Sequence, residues 1–255
     1  MSTRARTALF LVAGAGLLAV LLIGLHGLPA FGDFRGSLSH AITTRELKAR
    51  HATDYVTALN FDLRAFDTVG EEAILFAAVA GVVLLMRNIR EEDQSQRRRR
   101  RDQHRFQGAS QALRAQALLM VALTVAFGIY LDLHGALTPG GGFQAGIVLS
   151  AGPAVLMLAG RYLTLKRIAP DWVVELLESG GAAGLTLIGI GGLVFGGVFL
   201  QNFLPYGTPN ELLSAGIMPV VSIAVGLEVT GGLLLIFSEF LDQSLLNTTR
   251  ESEQQ

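Results

Sequence analysis

Six long apolar runs divide a chain of only 255 residues, and they leave little choice of environment. They cover about Thr7 to Leu28, Val69 to Met86, Leu113 to Leu133, Phe143 to Leu163, Ala182 to Leu200 and Leu212 to Phe237. A helix of about 20 apolar residues crosses a bilayer core. A buried helix of a water-soluble protein seldom runs that far without polar interruption. The runs therefore predict an all-α integral membrane protein with about six transmembrane helices. The first run follows Arg4 and Arg6, as the core of a secretory signal does. Its length of about 18 residues exceeds the 7–15 of such a core, and Leu28-Pro29-Ala30 is a poor cleavage site, so it is read as a retained helix.

Composition agrees. Hydrophobic residues make up 51% of the chain and charged residues 16%, and the mean hydropathy is +0.46. These values exclude a disordered chain. A formal net charge of −1 excludes a strongly basic nucleic-acid binder. The absence of cysteine removes disulfides, thiolate catalysis, Cys-based zinc sites and iron–sulfur ligation.

The small net charge hides a strong segregation. Nine arginines lie between Arg87 and Arg114, including the run Arg97 to Arg101. Arg161, Lys166 and Arg167 follow the fourth run, and the stretch from Gln201 to Glu211 has no Lys or Arg. Basic loops stay on the cytoplasmic side, so both termini are predicted to be cytoplasmic. The segment Pro29 to Thr68, with five basic and five acidic residues, falls outside. The arginine run is then a topological signal with some attraction to anionic lipid headgroups.

That Arg- and Gln-rich stretch also reads as a linker. The expected organisation is a two-helix membrane segment at 1–89 with an external amphipathic stretch, an Arg-rich cytoplasmic linker at 90–107, a four-helix domain at 108–246 and a polar tail at 247–255. In the external stretch, Thr43-x-x-Glu46 is a capping box for a mixed helix reaching about Leu59, and Thr68-x-x-Glu71 is a second box opening the next membrane helix. Glu72 points about 100° away from Glu71 and is read as interfacial. Gly180, Gly184, Gly192 and Gly196 share one i, i+4 line, a pattern that lets helices approach closely in lipid.

Ionisable residues inside a membrane are the first places to look for function. Glu228 sits near the middle of the sixth run. An ionised carboxylate there costs about 3 kcal/mol unless paired or hydrated, so Glu228 is either a point on a proton or cation path or an orienting contact to a neighbouring helix. Pro219 is expected to kink the same helix and free a carbonyl. Asp132 and His134 close the third helix at the external face. Beyond them, Pro139, Gly140, Gly141, Gly142 and Phe143 break the chain between two helices, which at membrane depth requires burial in protein or a cavity. Such a loop either coordinates a cation or makes a tight re-entry. No zincin, Walker or nucleophile-elbow pattern occurs, and the five histidines have no metal spacing. The chain reads as a non-enzyme with no metal site and no cofactor.

The stretch His134-Gly135-Ala136-Leu137-Thr138-Pro139-Gly140-Gly141-Gly142-Phe143-Gln144-Ala145-Gly146 closely resembles the signature of the MnhB/MrpB family, small membrane subunits of multisubunit Na⁺/H⁺ antiporters with relatives in membrane-bound hydrogenases. Residues 108–246 look like one complete domain of that kind, with a weaker match from Gly216 through Val229. Residues 1–90, specifically over 54–75 with Tyr55-Val56-Thr57-Ala58 and Asp62-Leu63-Arg64-Ala65-Phe66-Asp67-Thr68-Val69-Gly70-Glu71, resemble the two-helix end of the large antiporter subunit, which stands alone as a small subunit in hydrogenase-type complexes. Three positions depart from the pattern: Ala136 stands where His is usual, Ala145 where Gly is frequent, and Asp54 where Asn is common.

The resemblance implies an accessory, ion-path-lining subunit of a cation (Na⁺)/proton antiporter complex in a prokaryotic plasma membrane. Its partners would be other membrane subunits, Na⁺, H⁺ and lipid, with no nucleic acid. It assigns ion passage to Glu71, and more loosely to Asp67. The alternatives are an energy-coupling subunit of a hydrogenase-type redox complex and a purely structural scaffold.

Overall fold

The structure is a computed structural model that describes residues 3–28, 32, 36, 40, 47–91, 110–159 and 169–253. The capping box at Thr43 and Glu46, the arginine run and the basic residues Arg161, Lys166 and Arg167 lie outside these. Every regular element among the described residues is helical. Two compact units are delimited, 1–40 and 41–255. The described residues of the first form helix α1 (Thr3–His26).

The second unit opens with a short turn, α2 (Leu47–Ala49), and then α3 (Tyr55–Ala58), which widens into a π-helical turn, Leu59–Leu63. Among the described residues, four long helices and a shorter one follow: α4 (Ala65–Glu91), α5 (Gln111–Leu133), α6 (Gly142–Leu158), α7 (Asp171–Gly191) and α8 (Met218–Glu253). A π-helical turn, Gly192–Gly196, prolongs α7. Among the described residues, five helices are long and apolar enough to cross a membrane, counting α1, and α6 is an apolar helix of 17 residues.

Local chemistry explains several boundaries and corrects others. Asp54 caps α3 by accepting a hydrogen bond from the Thr57 amide at 2.7 Å. The mixed helix expected to run to Leu59 is therefore interrupted: His51 takes a positive φ of 55° and the chain restarts at Asp54. Thr68 is not a cap. Helix α4 already begins at Ala65, and the Thr68 hydroxyl is buried and donates to the Asn60 carbonyl at 2.7 Å, tying α4 to the π-turn before it.

Helix α7 begins at Asp171, well before the apolar run at Ala182, because Asp171, Glu175 and Glu178 lower the hydropathy of its first turns without breaking the helix. At the other end, 212–217 is not helical. Ala215 and Gly216 both take positive φ, 70° and 65°, and α8 starts only at Met218. Pro219 then lies in the first turn, where its missing N–H has no intrahelical partner to lose. It starts the helix and does not kink it.

Helix α8 is the hub. It packs on α4, α5, α6 and α7, and 61% of its apolar span is buried, against 11–22% for α4, α5 and α7. Ile217, Met218, Val221, Val225 and Val229 form the centre of the main core cluster with Phe61, Ala136 and Leu185. Small residues set the helix separations. A Cβ on Gly142 would fall 2.3 Å from the Ser222 carbonyl oxygen, and one on Gly146 would fall 2.5 Å from the Val229 Cβ. On α7 the contact face is Val174, Gly181, Leu185 and Gly189, one residue round from the first half of the glycine line expected, while Gly192 and Gly196 of that line do pack closely, against Leu200 and Gln201. Gly180 meets nothing within 4 Å, and Gly184 touches Ala224 at ordinary distance.

Gly142→Ala should destabilise the protein by about 1–3 kcal/mol, as overpacking of a close helix contact does, whereas Gly180→Ala should be neutral or slightly stabilising. Thermal melting of the detergent-solubilised protein checks the pair.

Candidate functional site

The glycine loop is held from both sides. His134 closes α5, and the Gly141 amide reaches back to the Leu131 carbonyl at 3.2 Å. Gly141 adopts φ +110°, a conformation that side-chain-bearing residues rarely take. This turn aims the chain into α6, with Gly142 against the α8 backbone. On the opposite side, Thr53 and Asp54 both donate their amides to the Ala136 carbonyl, at 3.1 and 3.2 Å, and the Thr53 hydroxyl donates to the Leu137 carbonyl at 2.5 Å. Two of the positions departing from the family pattern, Asp54 and Ala136, are thus in direct contact.

This docking brings two separately recognised regions together. A cavity of about 200 Å³ is lined by Val56, Thr57, Asn60, Phe61, Thr68 and Glu71 from the first part of the unit, and by Gly140, Phe143 and Gln144 from the loop and α6. Glu71 is exposed at this cavity, and the buried hydroxyl of Thr57 has no hydrogen-bond partner. Carbonyl, amide, hydroxyl and carboxylate oxygens on one small cavity are the donor set a hydrated monovalent cation or a proton-carrying water needs.

The other expected site residues fall elsewhere. Asp67 lies outside the cavity lining, is about half exposed and pairs with Arg64 at 2.5 Å. Asp132 accepts a hydrogen bond from the Ser222 hydroxyl at 2.7 Å and faces Gly226, so it is held against α8. His134 stacks on Tyr130 with ring centroids 4.2 Å apart, and its Nδ1 lies 3.1 Å from the Tyr130 carbonyl oxygen. Glu228 is 1% exposed. Its carboxyl lies within interaction range of Glu72 on α4 and of Glu178 on α7.

Glu72 corrects the sequence reading most sharply. Expected at an interface, it is 2% exposed, with neither carboxyl oxygen hydrogen-bonded. The 100° offset from Glu71 is real, but it points Glu72 toward α8: Leu75 and Val79, on the same face, pack against Gly232. Periodicity alone cannot tell a lipid-facing direction from a protein-facing one when the whole helix is apolar.

Sequence reading misses a second polar cluster. Arg50 forms an ion pair with Asp62 and donates to the Tyr206 hydroxyl at 3.4 Å. Asn202 joins Asp62 to the irregular stretch before α8: its side-chain amide donates to Asp62 at 3.3 Å and to the Ala215 carbonyl at 3.1 Å, and its Oδ1 accepts the Ile217 amide at 3.0 Å. Arg50 and Tyr206 are 156 positions apart, and Asp62 and Asn202 are 140 apart, so no local pattern signals them.

Comparison with known proteins places this architecture. Residues 112–235 match the model of a domain related to the MnhB subunit of Na⁺/H⁺ antiporters. The chain is 35% identical over 198 residues to an uncharacterized protein of Methanocaldococcus jannaschii, covering 71% of this chain and 74% of that one. It is 32% identical over 127 residues to the B component of the Na⁺/H⁺ antiporter of Bacillus subtilis, covering 46% of this chain and 87% of that one. A probable A/B component of a K⁺/H⁺ antiporter of Rhizobium meliloti is 26% identical over 220 residues, which is 76% of this chain and 21% of the relative. Among solved structures, the fold is shared with a chain of the membrane-bound sulfane sulfur reductase, an archaeal respiratory membrane complex (TM-score 0.64, 23% identity, 93% of this chain and 98% of that one). It is also shared with the Mrp complex of a Dietzia species (TM-score 0.64, 20% identity, 94% and 26%).

Asn202→Ala should leave the buried Ile217 amide without its acceptor and cost about 1–3 kcal/mol. Hydrogen exchange should then rise selectively in 201–217 while α5 and α6 stay protected.

Proposed function

This chain belongs to the MnhB family, and from that premise we propose that it is an accessory, ion-path-lining subunit of a multisubunit cation/proton antiporter, with Na⁺ as the cation. The observation that carries the reading is the cavity shared by Glu71 and the glycine loop. Glu71 supplies an acidic, water-accessible entry, and Thr57, Asn60, Gln144 and the loop backbone supply neutral oxygens around it. Asp67, outside the cavity lining and paired with Arg64, is the looser candidate on the same helix. Glu228, Asp132 and His134 offer further polar positions along α8 and α5. The cation is read as Na⁺ from the Bacillus relative's name, and the K⁺/H⁺ name of the Rhizobium relative makes K⁺ the competing choice.

The chain is read as two modules, 1–89 and 108–246, joined by the linker at 90–107. The Rhizobium match extends over 76% of the chain, beyond the 112–235 stretch, and the name of that relative joins A and B in one protein. This supports taking 1–89 as the counterpart of the end of a large subunit. Both termini are placed in the cytoplasm of a prokaryotic cell and the protein in its plasma membrane. The partners are the other membrane subunits of the complex.

The respiratory complex that shares the fold favours a second reading, an energy-coupling membrane subunit of a redox complex. Purification of the intact complex in mild detergent separates the two. Antiporter subunits alone support the first, and co-purifying redox subunits the second.

Glu71→Gln should abolish Na⁺ efflux in membrane vesicles, at least a tenfold loss, while the complex still assembles. Normal efflux in that variant overturns the site assignment, and normal efflux with every membrane acid neutralised in turn identifies a scaffold.

A further inference from the structure

Helix α8 carries Glu228 between two other helices that each present an acid to it. Glu72 comes from α4 and Glu178 from α7. The approach is enforced by glycines. A Cβ on Gly181 of α7 would fall 2.5 Å from the Glu228 amide nitrogen, and a Cβ on Gly231 of α8 would fall 2.4 Å from the Glu178 amide nitrogen. Each glycine thus lies against the backbone of the opposite helix's glutamate. Gly232 gives α4 the same access: a Cβ there would fall 2.9 Å from a Val79 methyl.

Glu72 and Glu228 are 2% and 1% exposed, and their carboxyls lie close enough to interact across the α4–α8 contact. Both oxygens of Glu72 and Oε2 of Glu228 are buried with no hydrogen bond formed. Among the described residues, the charged groups facing them are all acidic: Glu71 beside Glu72 on α4, and Glu178 facing Glu228 from α7, with Glu175 beyond it. From α5, Asp132 approaches α8 at Ser222 and Gly226, and α6 meets α8 near this level through Gly142 and Gly146. Two adjacent buried carboxylates with no countercharge cannot both stay ionised, and one proton between them supplies the missing donor.

We propose that Glu72 and Glu228 form a proton-sharing carboxyl pair that passes a proton between α4 and α7. In the transfer an O–H bond breaks on one carboxyl as an O–H bond forms on the other, so the protonated pair keeps a charge of −1. Glu71, exposed to the cavity, is the donor side, and Glu178 is the acceptor side. The assignment rests on the ion-path reading for its direction of use, but the pair itself does not depend on transport.

Infrared spectroscopy of the purified complex separates the two. The wild type should show a carboxylic-acid carbonyl band that shifts in D₂O. Glu72→Gln and Glu228→Gln should each remove it, the double variant should remove nothing more, and Glu71→Gln should retain it. Glu72→Asp and Glu228→Asp, which keep the carboxyl, should move the band instead of abolishing it, and they serve if the Gln variants do not assemble. Each Gln variant should also lower cation-driven proton uptake at least tenfold and flatten its pH profile. Retention of the band in both single variants, an unmoved band in the Asp variants, or loss of two independent bands in the double variant overturns the pair. Loss of the band with normal proton uptake leaves a shared proton but overturns the relay. Normal transport in Glu71→Gln with the band behaviour intact overturns only the ion-path reading.

Discussion

Hydrocarbon offers no hydrogen bonds, so every backbone amide and carbonyl at membrane depth needs a partner inside the protein. Helices meet that demand alone, and five apolar helices of spanning length do so here. The irregular stretches must meet it with side chains and with one another. The turn from 134 to 141 is satisfied by its own helix end and by the amides of Thr53 and Asp54. In the stretch from 197 to 217, Asn202 bonds the Ala215 carbonyl and the Ile217 amide, the Gly189 carbonyl accepts from Leu200, and the Tyr206 carbonyl accepts from Ala215. The short elements before α4 are therefore part of the same solution. They complete the backbone of the four-helix part, and in doing so they place Glu71 beside the glycine loop.

The same constraint governs the acids. Without a hydrophobic force between helices in lipid, association depends on close packing and polar contacts. Helix α8 uses both. Gly226, Gly231 and Gly232 admit Asp132, the Glu178 backbone and the α4 face respectively, and the carboxyls enter with the helices that bear them. A polar cluster in such a place is expensive unless it is partnered or carries a cation. That cost is the physical reason for proposing a role for the buried Glu72 and Glu228, whereas the exposed Glu71 is proposed from its place on the cavity.

Much of this is legible in the amino-acid sequence. Apolar runs mark the helices, and the Gly140–Gly142 triplet marks the break between α5 and α6. The family resemblance identifies Glu71 and the loop separately. What escapes is every fact that depends on which face of an apolar helix meets protein. Glu72 reads as interfacial but is buried, the α7 contact line is displaced by one residue, and α7 begins before its apolar run because Asp171, Glu175 and Glu178 mask its first turns. The Arg50–Asp62–Asn202 network joins residues far apart in the chain and has no local signature. Those are tertiary facts, and hydropathy does not encode them.

The central claim is that Glu71 and the glycine loop share one water-accessible cation cavity. The chain has no cysteine, so a single cysteine can be introduced at Gln144, on the loop side of that cavity, in the assembled complex. Its reaction with a membrane-impermeant thiol reagent, read by mass spectrometry on this chain, tests the claim most directly. The account predicts that the cysteine is modified from water and that saturating Na⁺ slows the modification severalfold. A cysteine at this position that water-soluble reagents never reach, or one modified at the same rate with and without the cation, would contradict it.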